Sequence, residues 1–127
     1  VKRFHEAGVP MENLVLGAAF YSRIWQNVPD NDKHGLGQTA EKGGGFGKNF
    51  GELYNNYINK NGYTRYWDSE AHAPYLYNGN EFISYDDEES IRDKCEYIKD
   101  KNLAGIMYWE HSCDPTRTLL GVINDNL

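Results

Sequence analysis

The chain has 127 residues and a formal net charge of -6, from 13 Lys and Arg against 19 Asp and Glu. An acidic chain without clustered Lys or Arg suits neither nucleic acid nor an anionic membrane surface. No apolar run approaches the roughly 20 residues of a transmembrane helix, and two cysteines, Cys95 and Cys113, are too few for a disulfide scaffold and read as core thiols.

In chain order, Val1 to Ala7 reads as a helix stopped by Gly8 and Pro10. The chain opens inside that helix, so it is expected to be a piece of something longer. Leu14 to Phe20 (LVLGAAF) is a continuous apolar run, which predicts a strand buried on both faces. Tyr21, Arg23 and Trp25 follow at its carboxyl end. Pro29, Asp30, Asn31 and Asp32 then break the chain, and Gly43, Gly44, Gly45 and Gly47 predict a loop. Phe50 to Ile58 carries apolar residues at helical spacing. Tyr63 to Trp67 and Pro74 to Tyr77 read as an antiparallel pair, and Phe82 to Tyr85 as a short strand.

From Asp87 the pattern is helical again. Asp86 or Asp87 serves as cap, and Ile91, Cys95 and Ile98 form the buried stripe. Leu103 to Trp109 predicts a second buried strand. Asp114-Pro115 predicts the start of a last helix with Leu119, Leu120 and Ile123 inward. The order is helix, strand, a mixed α+β insertion, helix, strand, helix. This is an α/β class chain, with an insertion where barrel enzymes place binding loops.

Ten Tyr, three Trp and five Phe in a chain of mean hydropathy -0.77 must fill a core or face a ligand. Tyr21, Arg23 and Trp25 leave one predicted strand and Trp109 leaves the other. Neighbouring strands would bring these ends over one cleft, and flat rings suit the faces of sugars. Other candidates are weaker. Asp30, Asp32, His34 and Glu41 have calcium-loop spacing, but Pro29 precedes them and no helix follows. Gly47-Lys48 lacks the first glycine and the Ser or Thr of a phosphate loop. His5, His34, His72 and His111 have no ligand spacing, so no metal is expected. Asp86 to Glu89 reads as helix-start charge, and Glu110 as polar support beside Trp109.

The stretches LVLGAAFYSRIW, YINKNGYTRYWDSEAHAPYLYNGNEFISYDDEES and KDKNLAGIMYWE resemble the C-terminal part of a family 18 glycoside hydrolase, with the closest likeness to bacterial chitinases that carry a chitinase insertion domain. The resemblance runs unbroken along nearly the whole chain. It implies a TIM (β/α)8 barrel whose strands seven and eight are Leu14 to Phe20 and Leu103 to Trp109. Residues 1–24 and 81–127 would then be barrel segments, and 25–80 the insertion domain. Trp109 would be the floor beneath the sugar at the cleavage point, Arg23 a donor to substrate beside Tyr21, and Trp25 a platform toward the leaving group. The chain departs from the pattern at Ser22, where glycine is usual, and at Ala19, where proline is usual.

The family's strand-four signature, spaced aspartates ending in a glutamic acid, is not in these residues, so the fragment alone is expected to be inactive. The resemblance implies a secreted parent that hydrolyses β-1,4-linked N-acetylglucosamine polymers with retention, by a substrate-assisted route and without cofactor. A chitin-binding lectin-like relative and a peptidoglycan-acting enzyme are the alternatives. The isolated fragment is expected to self-associate through uncovered strand edges.

Overall fold

In the computed structural model, which describes residues 1–127, the two apolar runs become β1 (Val15–Ala19) and β7 (Gly105–Trp109), paired in parallel from Val15↔Gly105 to Ala19↔Trp109. Side chains alternate across such a pair. Ala18 and, just past the strand, Phe20 are buried, with Ile106 and Tyr108 packed against the same core. That side meets α3 (Glu88–Lys101) and α4 (Thr118–Asn126), which bury Ile91, Cys95, Leu119 and Ile123. Each such side chain removed from water stabilises the fold by about 1.5–3 kcal/mol.

The opposite face departs from the expectation of strands buried on both sides. Val15 is 54% exposed, Met107 55% and Trp109 61%. The reason is architectural: this sheet has two strands, helices cover one face, and nothing in the chain covers the other.

The remaining strands form one antiparallel sheet in the order β3-β2-β6-β5-β4. They are β2 (Tyr21–Gln26), β3 (Lys42–Asn49), β4 (Thr64–Asp68), β5 (Ala73–Tyr77) and β6 (Phe82–Ser84). The sheet therefore reaches beyond 25–80 at both ends. Two short helices, α1 (Lys2–Glu6) and α2 (Phe50–Asn56), complete the elements used below. No helix is long and apolar enough to cross a membrane.

The glycine cluster predicted as a loop is strand β3. Gly43 and Gly47 are needed because β3 lies flush on β2 there. A Cβ at Gly47 would sit 2.5 Å from Ser22 Oγ, and one at Gly43 2.5 Å from the Trp25 Cα. Gly43 also has φ of +144°, which side-chain-bearing residues rarely adopt.

One face of this sheet carries Tyr21, Arg23, Phe46, Trp25, Phe82, Tyr75 and Tyr77, as the cross-strand pairs dictate. The segment 27–41 folds over the outer part of that face. Tyr77 donates its hydroxyl to Val28 O (2.7 Å), Tyr75 donates to Lys33 O (2.8 Å), and His34 stacks on Tyr66 at 4.0 Å. The other face gives Ile83 and Leu76 to the common core.

The two sheets are joined at the start of α3. Asp87 is its N-cap, accepting from the Glu89 and Ser90 N–H groups, while Ser90 Oγ accepts from the Asp87 N–H. Asp86, 6% exposed, accepts from the Ala19 N–H (3.2 Å), from Ser90 Oγ (2.8 Å) and from Lys94. Arg65 on β4 reaches Asp87 and Glu89, each at 2.7 Å.

The last helix begins at Thr118, later than Asp114-Pro115 predicts. Asp114 still caps it from a distance, accepting from the Thr118 and Leu120 N–H groups at 2.9 Å, because Arg117 in the left-handed region turns the chain between them. Cys95 is buried and its thiol is pushed up by that burial; Cys113 is only half-buried, and neither is in a disulfide.

Replacing Asp86 removes a hub that serves β1 and α3 together. Asp86→Ala is expected to cost about 2–3 kcal/mol, because a backbone donor and an ammonium lose a charged partner; denaturant midpoints measure it, and a loss under about 0.5 kcal/mol would refute the hub role.

Four tyrosines bear on pH. Burial pushes the pKa of Tyr63, Tyr75, Tyr77 and Tyr85 above the ordinary tyrosine value, with the Glu81 hydrogen bond adding to it at Tyr63. A raised folded-state value means that the unfolded chain loses these protons first as pH climbs. Their contribution is thus intact below pH of about 10, the ordinary tyrosine value, and is lost above it. Stability is expected to fall steeply above that point, and tyrosinate absorbance is expected to show these groups titrating only with unfolding. A smooth titration of all ten tyrosines in the folded state would contradict this.

Candidate functional site

The site lies where the parallel pair hands the chain over to the antiparallel sheet. At the end of β7, Tyr108 turns toward the helices and stacks on Phe20 (4.5 Å between centroids, 14° between planes). Strand alternation then turns Trp109 to the uncovered side. The Phe20 N–H donates to Trp109 O at 2.8 Å, and the Phe20 carbonyl accepts from the Phe50 N–H at 2.9 Å. Phe20, fully buried, therefore pins both neighbours while Tyr21 opens β2 as the next residue. The Trp109–Glu110 peptide is cis. Glu110 is exposed and accepts from Ser112 Oγ at 2.6 Å.

Tyr21 and Arg23 share a side of β2 and are joined there by Phe46. The Tyr21 and Phe46 rings are 4.8 Å apart, and the Arg23 guanidinium carbon lies 4.2 Å from the Phe46 centroid and 5.6 Å from that of Tyr21. Arg23 Nη1 donates to Gly44 O at 3.1 Å. Ser22, on the reverse side, is buried and donates to Lys48 O at 2.8 Å, so its hydroxyl holds β3 against β2.

Trp25 stands further along the same face. Its ring meets Phe82 edge-on at 6.0 Å and borders a cavity of about 450 Å³ with Val28, Leu36, Glu41 and Lys42. Of the four residues singled out from sequence, Tyr21 and Arg23 are thus in one cluster. Trp109 ends the adjoining strand, and Trp25 borders a separate cavity.

Phe46 escaped the sequence reading. It is 69% exposed yet sits opposite Arg23 in the β2–β3 register. Its only sequence signal is a lone ring among glycines. Chemically, the group offers apolar ring faces, a permanently charged planar donor and a phenol hydroxyl, a set suited to a polyhydroxylated ligand. No cluster of three His, Cys, Asp or Glu side chains is placed to hold a metal ion.

Comparison with known proteins agrees with this architecture. The family model described as glycosyl hydrolases family 18 matches residues 1–114. Chitinase A1 of Niallia circulans is 46% identical over 130 residues, covering 96% of this chain and 18% of that protein. A family 18 N-acetylglucosaminidase structure from Paenibacillus barengoltzii superposes with a TM-score of 0.96 at 53% identity, over 99% of this chain and 37% of that one. A chitinase-like agglutinin from Robinia pseudoacacia superposes with a TM-score of 0.81 at 28% identity, over 98% of this chain and 35% of that one. The chain thus spans about a fifth of the curated relative and about a third of the solved ones. With its sequence matched from Val1 to Asp114 and its fold reproduced, this chain belongs to glycosyl hydrolase family 18.

Proposed function

We propose that the chain is the C-terminal part of a chitinase of the (β/α)8 barrel type. In this reading β1 and β7 are barrel strands seven and eight, and the five-stranded sheet is an insertion domain forming one wall of the substrate groove. What supports it is the one-sidedness of the parallel pair. Helices cover one face, and Val15, Met107 and Trp109 on the other would face the barrel interior and its mouth.

The observation that carries the function is Trp109, bare at the carboxyl end of β7, its carbonyl bonded to the N–H of Phe20, the residue before Tyr21. An indole there would seat the sugar at the cleavage point. Arg23 and Tyr21 would hydrogen-bond it, and Trp25 would extend the contact along the wall. The substrate would be a β-1,4-linked N-acetylglucosamine polymer, cleaved with retention as its own acetamido oxygen attacks the anomeric carbon. The acid that protonates the leaving oxygen would come from the part of the protein outside this segment. The 127 residues would then position substrate without turning it over. An insoluble polymer cannot enter a cell, so the enzyme would work outside it, as a secreted protein.

A second reading, a sugar-binding relative without turnover, is favoured by the likeness to the Robinia pseudoacacia agglutinin. Incubating the whole protein with chito-oligosaccharides separates the two. Released reducing ends mean hydrolysis; retention on a chitin column without release means a lectin; release from peptidoglycan alone would displace chitin as substrate.

Within the hydrolase reading, Trp109→Ala is expected to lower kcat/KM on chito-oligosaccharides by on the order of 10–100-fold, the equivalent of about 1.5–3 kcal/mol of ring burial. Unfolding of the 127-residue segment should be unchanged, since the ring is 61% exposed there. An unaltered kcat/KM would remove Trp109 from the site. By itself the 127-residue chain is expected to self-associate through the bare face and the unpaired outer edges of β1 and β7. Met107→Lys should weaken that association in sedimentation velocity, and a dilute monomer of the unaltered chain would contradict it.

A further inference from the structure

We propose that Phe46 is a positioning residue for Arg23: its ring and the Gly44 carbonyl form a clamp that fixes the guanidinium toward the groove. The inference rests on the reading that Arg23 touches substrate. It adds a residue that neither the sequence motif nor the comparisons assign.

Arg23 and Phe46 are direct cross-strand partners on one face of the β2–β3 pair. The guanidinium carbon is 4.2 Å from the Phe46 centroid, within cation–π range, and one of its donors goes to Gly44 O at 3.1 Å. No ion pair in the structure includes Arg23. The near Phe46 ring, the more distant Tyr21 ring at 5.6 Å and one carbonyl are thus what hold a long side chain. They occupy one face and one N–H of a five-donor group and leave the other donors free.

The strand is built to allow this. Gly44 and Gly45 put no side chain beside the guanidinium, and Gly47 lets β3 press onto Ser22, which fixes how near Phe46 comes to Arg23. Phe46 itself, 69% exposed on an edge strand, contributes little to the core, so folding alone does not account for a large ring at this place. Tyr21 packs against the same ring at 4.8 Å.

The test is a double-mutant cycle in the whole protein, read as kcat/KM on chito-oligosaccharides with thermal unfolding in parallel. Phe46→Ala is expected to lower kcat/KM by about 5–10-fold with Arg23 present and by less than about twofold in an Arg23→Ala background. Phe46→Trp should restore most of the loss, whereas Phe46→Leu, which fills space without a ring quadrupole, should not. Equal losses in both backgrounds, no loss, or full rescue by Leu would overturn the clamp while leaving the chitinase reading in place. If the unaltered protein neither hydrolyses nor binds chito-oligosaccharides, the chitinase reading fails and the clamp falls with it.

Discussion

The carboxylate of Asp86 is the contact on which the rest of the molecule depends. It takes the backbone N–H of Ala19, 67 positions earlier, and so closes the long excursion that leaves β1 and returns to α3. The exit and return strands reinforce the closure by pairing with each other, Arg23 with Ser84 through Trp25 with Phe82. The entropic cost of closing a long loop grows slowly with its length, so a few well-placed contacts at the neck suffice for a large insertion. Asp86 also holds Ser90 and Lys94, and Asp87 next to it caps α3 and receives Arg65 from β4. One acidic turn thereby anchors the parallel pair, the helix behind it and the far edge of the antiparallel sheet.

That neck explains why the candidate site stands where it does. With Ala19 tied to Asp86 and Phe20 buried against Tyr108 and bonded to Trp109, β2 has one available direction, and Tyr21 and Arg23 are carried out beside the end of β7. The site is therefore a by-product of closure: the residues that seal the neck are interleaved with those that display the rings. Ser22 shows the economy of this arrangement. Facing away from the rings, it spends its hydroxyl on Lys48 O and brings the glycine-rich strand, with Phe46, into place.

Much of this was legible in the residues. The α3 stripe Ile91, Cys95 and Ile98 is buried as its spacing predicts, and Asp87 caps that helix. The antiparallel pair from Tyr63 to Tyr77 forms as read. What was illegible has physical causes. Glycine propensity argues for a loop at Gly43 to Gly47, yet Gly43 and Gly47 answer to how closely β2 approaches, a tertiary fact with no local signal. Phe46 was hidden by the same misreading. The start of α4 misled because Asp114 caps across a turn rather than as the adjacent residue. An apolar run such as LVLGAAF shows that a strand prefers burial, but not how many layers will cover it.

The parity of β7 carries the last step. Ile106 and Tyr108 must face the helices, because Phe20, Leu119 and Ile123 complete the core there. In a strand every second residue shares a face, so this requirement alone puts Gly105, Met107 and Trp109 on the other side. A register shift of one residue would bury the indole and expose Tyr108, at the cost of the Phe20–Tyr108 stack and the closure around it. The orientation of the bare indole at the candidate site is thus enforced by packing on the face that never meets a ligand. It follows that substitutions on the helix side, remote from any sugar, can disturb the site through parity, whereas substitution of Trp109 itself leaves the scaffold intact.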